Sequence, residues 1–470
     1  MPAAGAMNRG ERAPGDGKER GLYYGWIIVF VTFLSLLISF GIRSSFAVSF
    51  NALTREFGWT RADLSLSFAI LTLCFAATQA ATGWLMDRWK ARLVIGIGIG
   101  LVAVSMFGMA LADRLWQVHL LIGVFFGLGF GLMGILPASV LVIRWFKRRK
   151  GTALGVSNMG VSLGQMILAP VSMILLLSIG WRLTFVVLGA AAVVLIMPLV
   201  LLLIRDRPAD MGLKVDGGRL DPAGTETDES VPDHHLVPGP GPNPVPDPSM
   251  KTNALSQAPA QNEVPFRTAC AQAPMWLLAA GFFVCGFTVN IINLHFVVMA
   301  MDRGFTGLTA ANALGLMGGM NLAGVLGVNI LSDYISKRKI PLGALYAIRG
   351  LSFVVLLSGQ GILSLYLFAL LYGITAFVTS GVMAAVVGDL FGSRSMGQIY
   401  GFISMIHHIG GAIGTYLAGV LFDHSGSYAV ILTVGAFMLG GAALATWVVP
   451  DGKPWRKVKP LAPGAAGRSA

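Results

Sequence analysis

None of the 22 Asp and Glu residues in this 470-residue chain lies deep inside its long apolar runs, and only 12% of residues are charged. Soluble globular proteins carry about 25% charged residues, so an ordinary water-facing surface is excluded. The three cysteines, Cys74, Cys270 and Cys285, are odd in number and scattered, which excludes a disulfide framework and a cysteine-based metal site. No phosphate-cradling Gly-x-x-x-x-Gly-Lys-Ser/Thr loop is present, so drive by ATP through that motif is excluded, and no catalytic constellation occurs. No cofactor, no metal and no enzymatic activity are therefore expected. Residues 1–23 are basic and polar, without the apolar segment and cleavage site of a removable signal peptide.

What the chain does have is hydrocarbon. Hydrophobic residues make up 55%, mean hydropathy is +0.72, and the apolar runs are each long enough to cross a hydrocarbon core of about 30 Å as a helix. Twelve runs are predicted, at 24–50, 62–84, 93–112, 116–143, 151–179 and 181–204, then at 274–300, 308–331, 341–360, 362–388, 397–421 and 427–449. The expected fold is an all-α membrane protein with twelve transmembrane helices in two six-helix bundles. Its predicted parts are a tail over 1–23, a first bundle over 24–204, a linker over 205–273, a second bundle over 274–449 and a tail over 450–470. The linker contains the Pro-rich stretch 237–248, which cannot bury a core and predicts a largely disordered segment.

The net charge of +12 does not point to nucleic acid, because 27 of the 34 Lys and Arg fall in the two tails, the linker and alternate loops. By the positive-inside rule those segments are cytoplasmic, which predicts a multi-pass protein of the inner (plasma) membrane with both termini inside.

A single offset of 246 residues lays Gly151, Gly155 and Gly164 on Gly397, Gly401 and Gly410, and Asp87, Arg92 and Arg148 on Asp333, Arg338 and Arg394. Such an offset predicts two parallel six-helix repeats. The segment Gly83-Trp-Leu-Met-Asp-Arg-Trp-Lys-Ala-Arg92 resembles the loop motif joining the second and third helices of the major facilitator superfamily. That resemblance implies a gate: Asp87, with Arg88 and Arg92, set against the positive N-terminal end of another helix when the cytoplasmic side is shut. Asp333, Arg338, Arg148 and Arg394 are assigned to the same gating set. In the second copy Asn329 and Tyr334 replace the Gly and Arg. The alternative reading is an ordinary basic inside loop.

The stretch Trp145-Phe-Lys-Arg-Arg-Lys-Gly-Thr-Ala-Leu-Gly155, with spaced glycines to Gly164, resembles the monocarboxylate transporter and oxalate/formate antiporter branch of that superfamily. Gly83, Gly151, Gly155, Gly160 and Gly164, with Gly397, Gly401 and Gly410, are expected to let helix backbones approach closely.

Two arginines lie within spans. Arg43 is 17 residues after Trp26, roughly 25 Å along a helix and so toward the outer third. It is read either as the anchor of an anionic solute, since a guanidinium holds a carboxylate bidentately, or as a side chain snorkelling to the interface. Arg349 is read as a structural anchor, because the ninth helix of this superfamily usually sits away from the cavity. Asn290, Asn293 and His295 are too polar for lipid, and the resemblance places their helix at the cavity wall. They are assigned to solute contact with Asn321, against the alternative of interhelical hydrogen bonding. In oxalate/formate carriers a Lys stands seven residues after the Tyr-Gly that here is Tyr400-Gly401, and His407 holds that place. The carry-over makes His407 a cavity cation whose charge depends on pH; His295 and His119 are further candidates for proton coupling. Relatives that bind carboxylates often carry an Arg on the eighth helix, whereas Asn321-Leu-Ala-Gly-Val-Leu-Gly327 here has none.

The sequence therefore predicts a secondary active transporter, functional as a monomer in the lipid bilayer. It moves a small organic anion, a monocarboxylate, by alternating access with proton symport or anion exchange. An exporter of drugs or neutral solutes with the same fold is the alternative, followed by a non-transporting membrane receptor.

Overall fold

The computed structural model describes residues 23–216, 264–334, 338–392 and 396–449. Among these residues the architecture is helical, and eleven stretches are long and apolar enough to span a membrane. We label them α1 (Gly25–Phe57), α2 (Arg61–Arg88), α3 (Ala91–Ala110), α4 (Leu115–Trp145), α5 and α6 (together Lys150–Leu203), α7 (Ala273–Asp302), α8 (Gly307–Tyr334), α9 (Lys339–Ser358), α10 (Ile362–Phe391), α11 (Met396–Ser425) and α12 (Ala429–Val448). The joined pair runs 54 residues, roughly 80 Å of helix and far more than one crossing of a core about 30 Å thick. Gly180, with φ of 77° and ψ of 165°, breaks it into 150–179 and 181–203. Only Gly adopts that backbone without strain.

In each half the central helices pack through glycines. A side chain at Gly164 on α5 would strike the Leu37 carbonyl of α1, and one at Gly410 on α11 would strike the Phe283 carbonyl of α7. Leu37 and Phe283 are themselves 246 apart, so the repeat holds for the contact as well as for the glycine. Gly160 is seated in the same way on Phe33.

Two breaks inside helices shape the centre. In α4 the regular helix is interrupted at Gly134, and Ser35 donates to the freed Met133 carbonyl at 3.3 Å. In α10 it is interrupted at Ala376 and Phe377. There the buried Arg349 donates to the carbonyls of Thr375 and Ala376 and to the Cys285 sulfur, while Asn321 accepts from the Phe377 N–H at 3.1 Å. Backbone groups within a membrane must find such partners.

The expected linker is folded at both ends. Residues 205–216 lie across the first half, where Asp206 accepts from the Ala91 N–H and Asp216 from the N–H groups of Lys147 and Arg148. Phe266–Cys270 forms a short helix before α7. The Pro-rich stretch and the two predicted tails, except Tyr23, fall outside the described residues.

The halves meet on the face opposite the chain ends. Gly318 of α8 is seated on Met166 and Ser162 of α5, and Gly419 of α11 on Arg61 and Ala62 of α2, both contacts between halves. On the chain-end side Gly83, Gly151, Gly155, Gly397 and Gly401 would have nothing within 4 Å of an added side chain. For those five glycines the close packing expected from the sequence is absent in this conformation.

Candidate functional site

A cavity of about 330 Å³ lies between the halves, walled by α1, α2 and α4 on one side and α7, α10 and α11 on the other. Its residues recur at helical spacing: Phe40 and Arg43 on α1, Asn290 and Asn293 on α7, then Tyr400, Ser404 and His407 on α11. Steps of three and four put each set on one helix face.

Arg43 is the cation of this cavity. Its Nη2 donates to the Asn290 amide oxygen at 2.8 Å, and its Nε is buried without a partner. The guanidinium carbon lies 5.0 Å from the Phe68 ring centroid and 5.9 Å from that of Phe130, within cation–π range. No ion pair joins it to a carboxylate among the described residues. Arg43 is the 19th of the 33 residues of α1, which runs on to Phe57, seven residues past the predicted end. Asn293 adds a second buried donor without a partner, its Nδ2. A site offering unpaired donors around one uncompensated positive charge suits an anion with two acceptor oxygens.

His407 also reaches the cavity. Its Nδ1 lies 3.0 Å from the Phe282 carbonyl, and since a carbonyl only accepts, Nδ1 carries hydrogen and Nε2 is left to gain or lose a proton. His408 lines the cavity as well. Gln79, Ser139, Ser380 and Ser404 line it too and were not assigned; the helical spacing of Ser404 with Tyr400 and His407 was the available signal.

Three assigned residues are elsewhere. His295 lies five residues past Asn290, about 140° further round α7. It is fully buried where its own half meets the other: Nε2 is 3.1 Å from the Thr415 carbonyl of α11 and 3.2 Å from the Ser65 hydroxyl of α2 across the boundary, and Nδ1 is 2.9 Å from the Tyr428 hydroxyl. Asn321 donates to the Ser162 hydroxyl at 2.7 Å and holds the α10 break, away from the cavity. His119 bonds the Ser67 hydroxyl at 2.8 Å on the outer side of α2 and does not reach the solute cavity.

The assigned gating residues that are described find their partners within their own halves. Asp87 is 80% exposed and lies 3.6 Å from Arg144 of its own half. Arg88 lies over the Trp84 ring, Arg148 is exposed with its N–H on Asp216, and Arg92 is half-buried. Arg338 pairs with Asp389 at 2.9 Å within the second half. The Asp333 side chain and all of Arg394 lie outside the described residues.

The closed contact is on the opposite face. The Arg61 guanidinium grips Asp302 through Nη1 at 2.6 Å and Nη2 at 2.8 Å, donates to the Tyr428 hydroxyl at 2.9 Å and lies over the Phe422 ring. Asp423 accepts from the Arg61 and Ala62 N–H groups at 3.1 and 2.7 Å. A carboxylate of one half thus caps the positive N-terminus of a helix in the other. Because the Thr415 carbonyl only accepts, His295 Nε2 carries the hydrogen and Nδ1 accepts from the Tyr428 hydroxyl.

The Major Facilitator Superfamily family model matches residues 32–415 and 328–468. The uncharacterized MFS-type transporter YcxA of Bacillus subtilis (strain 168) is 24% identical over 424 residues, covering 89% of this chain and 93% of that protein. Human monocarboxylate transporter 11 is 26% identical over 453 residues, covering 93% and 84%. Among solved structures, the inward-facing, occupied form of a bacterial homolog of the human lysosomal transporter Spinster aligns at a TM-score of 0.69 and 15% identity, covering 91% of this chain and 97% of that one. A D-xylose–proton symporter aligns at 0.67 and 15%, covering 92% and 99%.

Proposed function

Because the chain belongs to the major facilitator superfamily and is a membrane transporter rather than an enzyme, we propose that it carries a small organic anion, a monocarboxylate, across the cytoplasmic membrane by alternating access. The observation that carries this reading is Arg43: a guanidinium in the cavity between the halves, held by the neutral Asn290, with its Nε unpartnered. A charge within a membrane is costly and marks function. Here the missing counter-charge is the cargo. The carboxylate takes Arg43 with one oxygen and the Asn293 amide with the other.

Both termini lie in the cytoplasm in this reading, supported by the Lys and Arg bias of the segments on that side. The conformation is then inward-open, with Arg61, Asp302 and Asp423 sealing the outer face. Asp87 is released here and engages the second half when the inner face closes. His407 couples the proton: a charge on its ring adds a second cation to the cavity, so proton and anion bind with positive coupling. The transporter works as a monomer.

Purified protein in liposomes tests the reading. Uptake of labelled monocarboxylates, stimulated by an inwardly directed proton gradient and lost in Arg43→Gln, is expected. Transport of neutral solutes alone, unchanged in Arg43→Gln, would replace it with the exporter reading.

A further inference from the structure

The cavity has a property that binding an anion does not require: its wall is a belt of rings that passes between the halves twice. Phe377 of α10 meets Phe40 of α1 at 6.3 Å and 84°. Phe40 meets Phe130 of α4 at 4.8 Å, and Phe130 meets Phe75 of α2 at 4.8 Å. Phe75 then faces His408 of α11 in the other half at 5.1 Å and 89°, His408 touches His407 at 5.2 Å, and His407 lies 4.4 Å from Phe282 of α7. All of these rings line the cavity.

A two- or three-carbon acid held by Arg43 would leave most of that belt facing water. A volume of about 330 Å³ falls instead where pockets take ring-sized and larger ligands, roughly 300 to 1,000 Å³. The Phe40–Phe377 and Phe75–His408 contacts are edge to face, and such edges and faces can accept a further ring in offset or perpendicular packing. Arg43 stands beside the belt, over Phe130, so a carboxylate on the guanidinium would place an attached ring among the phenylalanines.

We propose that the solute is an aryl carboxylate, a planar ring joined to its carboxylate by a short chain, with the carboxylate on Arg43 and the ring in the belt. This rests on the carrier reading and narrows it. A ring seated there touches both halves and is enclosed further as they close, so occupancy favours the closed form. No carboxylate lines the cavity among the described residues, which disfavours aryl amines.

Two pairs of acids that differ only by a ring provide the test: phenylpyruvate against pyruvate, and phenyllactate against lactate. Labelled uptake by the purified full chain in liposomes is expected to favour the aryl member of each pair by about tenfold or more in kcat/KM, the scale of discrimination that apolar contacts supply. Phe75→Leu and Phe130→Leu are each expected to shrink that ratio by roughly two- to tenfold, the value of one aromatic contact. The ratio is taken within one preparation, so partial loss of folded protein does not alter it. Equal or better transport of pyruvate and lactate, or an unchanged ratio in both leucine variants, overturns the aryl assignment and leaves the carrier reading intact. Uptake of none of the four overturns both.

Discussion

The guanidinium of Arg61 and the carboxylate of Asp302 meet as a two-pronged pair between the halves, at 2.6 and 2.8 Å, on the face opposite the chain ends. Partly exposed, with the side chains 14% and 33% accessible, the pair contributes about 1 kcal/mol, near fivefold in a two-state population. Asp302→Asn is therefore expected to raise labelling from that face of a cysteine placed at Asn293, by a few-fold. Labelling equal to that of the parent would show that the seal does not depend on the pair.

Arg43→Gln is expected to abolish carboxylate transport while leaving purification yield and thermal stability near the parent. Hydrogen bonds to a charged group are worth about 1.5 to 3 kcal/mol, so Arg43→Lys, which lacks the planar fork, should weaken substrate affinity by roughly ten- to a hundredfold. Asn290→Ala frees the guanidinium from its 2.8 Å restraint and should weaken binding less than the loss of the charge does. Substrate-induced stabilisation of the purified variants measures this. Full activity in Arg43→Gln would move the anchor to His407.

His407→Gln is expected to lose accumulation driven by a pH gradient yet keep exchange of internal for external substrate, since exchange moves no net proton. In the parent, protonation adds positive charge beside the anion site, so uptake should rise as the pH on the loading side falls. If the variant accumulates substrate with the parent's pH profile, the coupling role belongs elsewhere.

Gly401 has open space where a side chain would go. Gly401→Val should fold with stability equal to or a few tenths of a kcal/mol above the parent, since Gly is a poor helix former. It should nevertheless lose transport, because the chain-end face can no longer close. Gly164→Val, aimed at the Leu37 carbonyl, should fail to fold. Parent-like transport by Gly401→Val would show that α11 keeps its distance throughout the cycle.

Asp87→Asn should leave the open form as it is, given a carboxylate 80% exposed and 3.6 Å from Arg144. It should instead disfavour the form closed on that side, by the 0.3 to 1 kcal/mol typical of a charge at a helix end. Cysteine accessibility at Ser404 from the chain-end face reads the shift, and no change would remove Asp87 from the gate.

Much of this was written in the sequence because it depends on local pattern. Hydrocarbon runs must become helices in lipid, whose core offers backbone groups no other partners, and a shared offset of 246 repeats any contact that glycines make with their own half, as at Gly164 and Gly410. Arg43 was identifiable because a charge within a membrane is rare. Its partner Asn290 and the exclusion of His295 from the cavity were not. The two side chains lie on one helix and are equally polar, and a turn of about 140° decides which meets solute and which meets Tyr428. Arg61, Asp302 and Asp423 fall between the predicted spans with no local pattern to mark them, since what makes them a seal is contact between residues 241 and 362 apart in the chain. Sequence alone determined the membrane class, the helices and the duplicated plan, because these follow from the energetics of each segment in hydrocarbon. Only the tertiary structure decided which face is shut, which glycines are in contact and which polar groups share a cavity, because those depend on how two nearly independent bundles lean together.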